Sequence, residues 1–320
     1  MTAYHLRLRA YGMDVRSQVT GLRSRRTLGA VMLAMGVVGA ALTYGASSGV
    51  LAQGRVPHVV FVTGDDEYRS EITMPMIAAI LEKHYGMRTS VAISRPIPQT
   101  KTNIEGLEAL ETADLMVMFT RFRALPDEQL ARITKYVDAG KPVVGLRTST
   151  HAFLYPEGSP HVALNDGFGR DVFGQKWITH HGNKSSTSVT VNEAQAGHPI
   201  LRGVTPFPAR SWLYHVLPLN GPATILLEGD SINSQQTARA EQYPPHQPVA
   251  WTRGHNGTRV FFTTLGHPAD FSQESMRRLV VNGILWALGK DVPQGGANAT
   301  PVSPYVAPES FDLSKVPKGD

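Results

Sequence analysis

Apolar residues dominate short runs at positions 58–63, 114–119 and 143–146. Runs of this length closed by polar residues predict strands buried on both faces. Residues 89–93 predict a further strand. Between the first two strands, Ile72, Met76, Ile77, Ile80 and Leu81 recur at helical spacing, with Ser70 placed to cap the helix. Pro126, Asp127 and Glu128 open a second helix, with proline in its first turn and acids at the positive dipole end; Gly140 closes it. Strands alternating with helices predict an α/β domain built on a mostly parallel, doubly wound sheet.

The rhythm breaks between about 153 and 249. Gly, Pro, Asn and His become frequent, and only 189–191 and 224–227 read as strands. This stretch is expected to be an inserted, loop-rich elaboration roofing the strand ends, since its apolar periods are too short for a separate core. Residues 249–251 and 259–264 predict a late strand pair joined through Asn256-Gly257, a strong hairpin signal. Ser272 is then placed to cap a last helix through Leu279, Val280, Ile284, Leu285 and Leu288, ended by Gly289. Residues 291–320 are rich in Pro and small residues and predict an extended surface tail.

Charge changes the picture at one end. The first 52 residues hold six arginines and one aspartate, as large a net charge as the +5 of the whole 320-residue chain. The remaining body is therefore near neutral, and no clustered basic surface points to a nucleic-acid partner. The arginines precede an apolar run at 28–44 and small residues around Ala52, the order of an export signal; Ser24-Arg25-Arg26-Thr27-Leu28 reads as a twin-arginine signal. A retained membrane anchor is the alternative reading of the same run. Either places the body in the periplasm or outside the cell. The chain has no cysteine, which removes disulfides, thiolate metal sites and cysteine nucleophiles together.

Ligands of open α/β sheets bind beyond the carboxyl ends of the strands. Three segments bring chemistry there. After the first strand come Asp65, Asp66, Glu67 and Tyr68, where an acid can move protons or hold sugar hydroxyls, or simply begin a helix. After 143–146 comes Arg147-Thr148-Ser149-Thr150-His151, a turn resembling a nucleophile elbow but without a nucleophile. His151 is the candidate base and Arg147 the fixed cation that polarises an oxygen, with Ser149 a candidate substrate contact. After the late strand comes Gly266-His267-Pro268. His180 and His181 are adjacent, so on an extended chain only one enters the site; His181, beside Gly182, is favoured. Tyr214 can reach in with its hydroxyl. His151, His181 and His267 form a candidate set for zinc or another divalent metal with an open fourth position, although no local HExxH signature accompanies them.

Several segments in order resemble the ThuA-like family, named for trehalose utilisation, whose fold is that of class I glutamine amidotransferases, a flavodoxin-like arrangement. They are Val62-Thr63-Gly64-Asp65-Asp66-Glu67-Tyr68-Arg69-Ser70, the elbow from Val144 to Phe153, and Gly197-His198-Pro199-Ile200-Leu201-Arg202-Gly203-Val204. Trp212-Leu213-Tyr214, Pro248-Val249-Ala250-Trp251-Thr252-Arg253 and Thr264-Leu265-Gly266-His267-Pro268-Ala269-Asp270-Phe271 follow, and last the helix from Arg278 to Leu288. The resemblance spans most of 56–290. It implies the fold and a link to carbohydrate, and it argues against glutaminase chemistry, because Arg147 stands where amidotransferases carry their cysteine. The expectation is an exported protein that processes a carbohydrate or keto-sugar by acid/base or metal-assisted chemistry. Its catalytic residues would be His151, Asp65, Glu67 and Arg147, and its substrate contacts Asp66, Tyr68, Ser149 and Tyr214. A sugar- or partner-binding module without catalysis is the alternative.

Overall fold

A computed structural model of the chain describes residues 55–65, 67–96 and 100–310. The N-terminal stretch expected from the sequence to be an export signal, Asp66, residues 97–99 and the last ten residues lie outside them.

A ten-stranded mixed sheet forms the centre, in the order β3-β2-β1-β4-β5-β12-β11-β10-β7-β8. Its first half is built from β1 (His58–Gly64), β2 (Arg88–Ser94), β3 (Ile104–Glu105), β4 (Leu115–Thr120) and β5 (Val143–Leu146). Strands β2, β1, β4, β5 and β12 (Thr258–Thr263) run parallel. Helices α1 (Ser70–Tyr85) and α4 (Glu274–Ala287) cover one face, and α2 (Asp127–Asp138) and α3 (Leu164–Phe168) cover the other. Alternation along β1 shows why the run is unbroken: Val59 and Phe61 pack into the first core, Val60 and Val62 into the second. Both sides of the pleat are buried, as a doubly wound sheet requires. Gly283 lets α4 lie close, since a β-carbon there would run into the Phe261 ring.

The loop-rich region does more than roof the strands. β7 (Ser186–Val191), β8 (Phe207–Ala209) and β10 (Thr224–Ile232) join β11 (His246–His255) as an antiparallel extension of the same sheet. Only β6 (Thr179–His180) and β9 (Tyr214–His215) form a separate two-stranded ribbon. Short strands with one polar face pair readily in antiparallel fashion, needing no helical crossover. Two expected caps also differ. Ser70 is the first residue of α1, and the cap comes from Asp65, whose carboxylate accepts the Ser70 N–H at 2.9 Å. Ser272 ends a short 3-10 turn, Pro268–Ser272, and Gln273 flanks α4.

Residues 291–310 contain no helix or strand but are firmly attached. Ala297 and Ala299 are buried. The Ala297 carbonyl accepts from Arg278 Nε at 3.1 Å and its N–H donates to Asn282 Oδ1 at 2.9 Å. Tyr85 hydroxyl donates to Asn298 O, and Tyr305 hydroxyl to Pro268 O. The segment thus ties α1 to α4. Among the described residues, no helix is long and apolar enough to cross a membrane.

Candidate functional site

The elbow after β5 sets the floor of the site. Arg147 takes a left-handed φ of 39°, and its side chain is 0% exposed. Such backbone costs about 1–3 kcal/mol in a residue with a β-carbon and is held only where the surroundings fix it. Here the guanidinium is fixed from several sides. Nη1 donates to Thr264 O at 2.8 Å and Trp212 O at 3.3 Å, and Nη2 donates to the Tyr68 hydroxyl at 3.1 Å. The Tyr68 and Tyr214 rings lie 4.4 and 4.5 Å from it, centroid to Cζ. No carboxylate pairs with it among the described residues. Burial pushes both tyrosine hydroxyls above their ordinary pKa against the opposing pull of Arg147, so both stay protonated.

Around this cation the rings form a continuous wall. Phe122 packs on His151 at 5.0 Å between centroids, His151 on Trp177 at 5.6 Å, Trp177 on His180 at 6.3 Å, and His180 on Trp212 at 4.9 Å. Trp212 then meets Tyr68 at 6.4 Å, and Tyr68 meets His267 at 6.0 Å. Trp177 is 39% exposed at the rim. Arg121, at the end of β4, pairs with Glu67 at 3.2 Å and lies over Phe122. Its loop is anchored to the elbow by Phe122 N–H to His151 O and Arg123 N–H to Ala152 O.

Hydrogen bonding sorts the imidazoles into two kinds. With the Thr150 hydroxyl proton assigned to Arg147 O at 3.3 Å, the hydroxyl accepts from His151 Nδ1–H at 3.0 Å. His151 Nε2 is thereby a lone-pair acceptor. His180 Nδ1 accepts the Gly182 N–H at 2.9 Å and His267 Nδ1 accepts the Ala269 N–H at 3.1 Å. Both must carry their proton on Nε2, as donors. Burial, then Arg121 and Arg147, drives His151 well below the ordinary histidine pKa. Burial first and Arg147 next lower His180 to about 4. Burial, opposed by Asp270 and helped by Arg147, likewise lowers His267 to about 4. All three are neutral at pH 7.

The structure therefore gathers Arg147, Tyr68, Tyr214, His151 and His267, with Glu67 held by Arg121. It takes others elsewhere. Asp65 accepts the backbone N–H groups of Glu67, Tyr68 and Ser70, so its carboxylate shapes the loop and caps α1. Ser149 is fully buried and donates to Met118 O at 2.8 Å, bracing β4. His181, favoured over its neighbour, turns the other way: its ring meets Ser234 Oγ at 2.7 Å, and His180 enters the wall. The pairing of β6 with β9, His180 opposite Tyr214, decides which side each takes. Among the described residues no three His, Asp or Glu side chains group to hold a metal ion. With His181 turned away and the Nδ1 atoms of His180 and His267 accepting backbone N–H, the donor set does not fit zinc.

Two contributors escaped the sequence. Arg121 follows an apolar strand at the carboxyl edge, the same signal that singled out Arg147. Asp270 is 1% exposed and accepts from Arg210 N, Ser211 N, Gly266 N, His267 N and the Ser211 hydroxyl. It locks the loops carrying Trp212 and His267 together.

The family model for ThuA, trehalose utilisation, matches residues 58–287. The chain belongs to the ThuA family. A ThuA-like protein of solved structure from Parabacteroides merdae superposes with a TM-score of 0.51 at 14% identity, covering 75% of this chain and 92% of that one. A ThuA-like protein from Bacteroides uniformis gives 0.46 at 16% identity, covering 74% and 94%. At 14% identity the first of these likenesses shows the fold alone. A search among curated proteins finds no match. In this ThuA-family chain the elbow presents an arginine, and the ring wall stands over it.

Proposed function

We propose that this ThuA-family protein is an exported enzyme that processes a carbohydrate, best a keto-sugar, by acid/base chemistry with His151 as the base. One observation carries the proposal: on a single aromatic wall, one imidazole offers a lone pair while two others and two tyrosine hydroxyls offer protons. Proton abstraction beside a carbonyl needs that asymmetry. His151 Nε2 takes the proton from the carbon next to the ketone. The C–H electron pair becomes a C=C bond, and the carbonyl π pair moves onto oxygen. Nε2–H of His267 and the hydroxyls of Tyr68 and Tyr214 supply hydrogen bonds to that oxygen. Arg147 and Arg121 stabilise its charge from behind. The same positive field makes neutral His151 a weak base at rest and rewards the transition state, where negative charge appears. The imidazolium then returns its proton to carbon, for isomerisation, or to a departing glycosidic oxygen, for elimination.

The test is solvent deuterium exchange at the carbon beside the ketone in a panel of keto-glycosides, with product chromatography. The wild type should exchange and form product, and His151→Gln should lose at least about a hundredfold in rate while melting as the wild type does. An unchanged rate would remove His151 from the chemistry. Tight sugar binding with no exchange across the panel would instead identify a binding module.

A further inference from the structure

Most sugar hydroxyls both donate and accept, so a site for a neutral sugar needs open acceptors as well as donors. Among the described residues this wall is short of acceptors. The carboxylate of Asp65 is taken by backbone N–H groups, that of Glu67 pairs with Arg121, and that of Asp270 accepts five donors. Donors, by contrast, are left over. Trp212 Nε1 and Arg121 Nε are buried and make no hydrogen bond among the described residues. Nε2–H of His180 and of His267 face no protein acceptor there either. Two guanidiniums stand behind the wall and Glu67 neutralises one of them; buried Arg147, whose Nε is also unpartnered, has no ionic partner among the described residues. Buried charges are ordinarily paired.

Resting on the carbohydrate reading above, we propose that the substrate is a sugar acid, whose carboxylate lies between Arg121 and His180 with Arg147 behind it. A guanidinium already holding Glu67 through Nη1 keeps Nε and Nη2 for a second carboxylate, the fork geometry that arginine offers and lysine does not. Arg121 and Arg147 are also the cations that most affect His151 after burial, so an anion seated there would offset their effect and make His151 a better base. The carboxylate and the reacting oxygen thus draw on one positive field.

The experiment is calorimetric titration of the full chain with glucuronate, galacturonate, glucose, galactose and glucose 6-phosphate at pH 7. The uronates should bind at least about tenfold tighter than the neutral sugars, the scale of one charge-assisted pair. Raising salt from 0.05 to 0.5 M should shrink that margin. Arg121→Gln should weaken uronate binding about tenfold more than glucose binding, and Arg121→Lys, which keeps the charge but not the fork, should fall between. Thermal melts of both variants separate lost binding from lost folding. Uronates binding no tighter than glucose, or a preference surviving in Arg121→Gln, would overturn the proposal. Stronger binding of glucose 6-phosphate than of both uronates would overturn the carboxylate in favour of a phosphate. If it fails while keto-glycosides still exchange in a His151-dependent way, the enzyme assignment stands; if exchange and binding both fail, that assignment falls too.

Discussion

Asp270→Ala tests how the site is held together. The carboxylate is buried and accepts four backbone N–H groups, from Arg210 at 2.6 Å, Ser211 at 3.1 Å, and Gly266 and His267 at 3.0 Å each, plus the Ser211 hydroxyl. Truncation leaves the Arg210 and Ser211 N–H groups and the Ser211 hydroxyl without their acceptor, while the Gly266 and His267 N–H groups keep only their second partner, Ser211 Oγ, at 3.1 and 3.0 Å. Each stranded buried donor costs about 1–3 kcal/mol, and the costs overlap where one entering water can serve two of them. A loss of about 4 kcal/mol is expected, which for a domain of this size lowers Tm by about 8–16 °C. Asp270→Asn keeps one oxygen but turns an amide N–H₂ against a pair of donors, and should lose roughly half as much. The assay is urea unfolding followed by tryptophan fluorescence, reading the midpoint at unchanged slope. A loss below about 1 kcal/mol for the alanine variant, or an asparagine variant equal to wild type, would refute the role of this carboxylate as the clasp.

Arg147→Met should cost about 3 kcal/mol, because the Thr264 and Trp212 carbonyls lose their donor; near-UV circular dichroism should show Trp212 released, and an unchanged spectrum would contradict the packing. Gly169→Ala should destabilise by about 3 kcal/mol by overpacking, far outweighing the gain of up to about 1 kcal/mol in helix propensity, since a β-carbon there meets the Thr150 carbonyl carbon at 2.6 Å; turnover should fall with it because Thr150 positions His151. His180 and His267 have folded pKa values lowered to about 4 against 6.5 unfolded, so between pH 6.5 and 4 the unfolded chain binds more protons. Stability should therefore fall as pH drops through that window, with unfolding taking up about one proton per histidine near pH 5. The slope of unfolding free energy against pH should flatten in His180→Gln, and an unaltered slope would mean the imidazole is solvated.

What could be read along the chain was whatever depends on near neighbours. The unbroken run of β1 marks a strand buried on both faces, and the small polar turn after β5 marks the elbow. Asn256-Gly257 marks the hairpin that β11 and β12 form. The misread residues depend on distant partners. Adjacent His180 and His181 must diverge, but only the pairing of β6 with β9 chooses between them. Asp65 carried two readings, and the fold of its own loop over α1 selects the cap. Asp270 meets Arg210 and Ser211 across about sixty residues, a distance no local pattern spans. The antiparallel half of the sheet was obscured for a related reason: its strands are short and β10 is interrupted by irregular pairing, so their alternation is weak.

The segment that joins Tyr85 to Asn298 and His84 to Thr300 bridges more than two hundred residues. A ribosome releases those two ends far apart in time, so the first helix must wait, partly uncovered, until almost the whole polypeptide has emerged. Nascent chains lacking this closing stretch would expose the apolar seam between the outer helices to chaperones. Shortening the gene from its 3′ end should therefore reduce soluble yield well before it removes any residue of the ring wall.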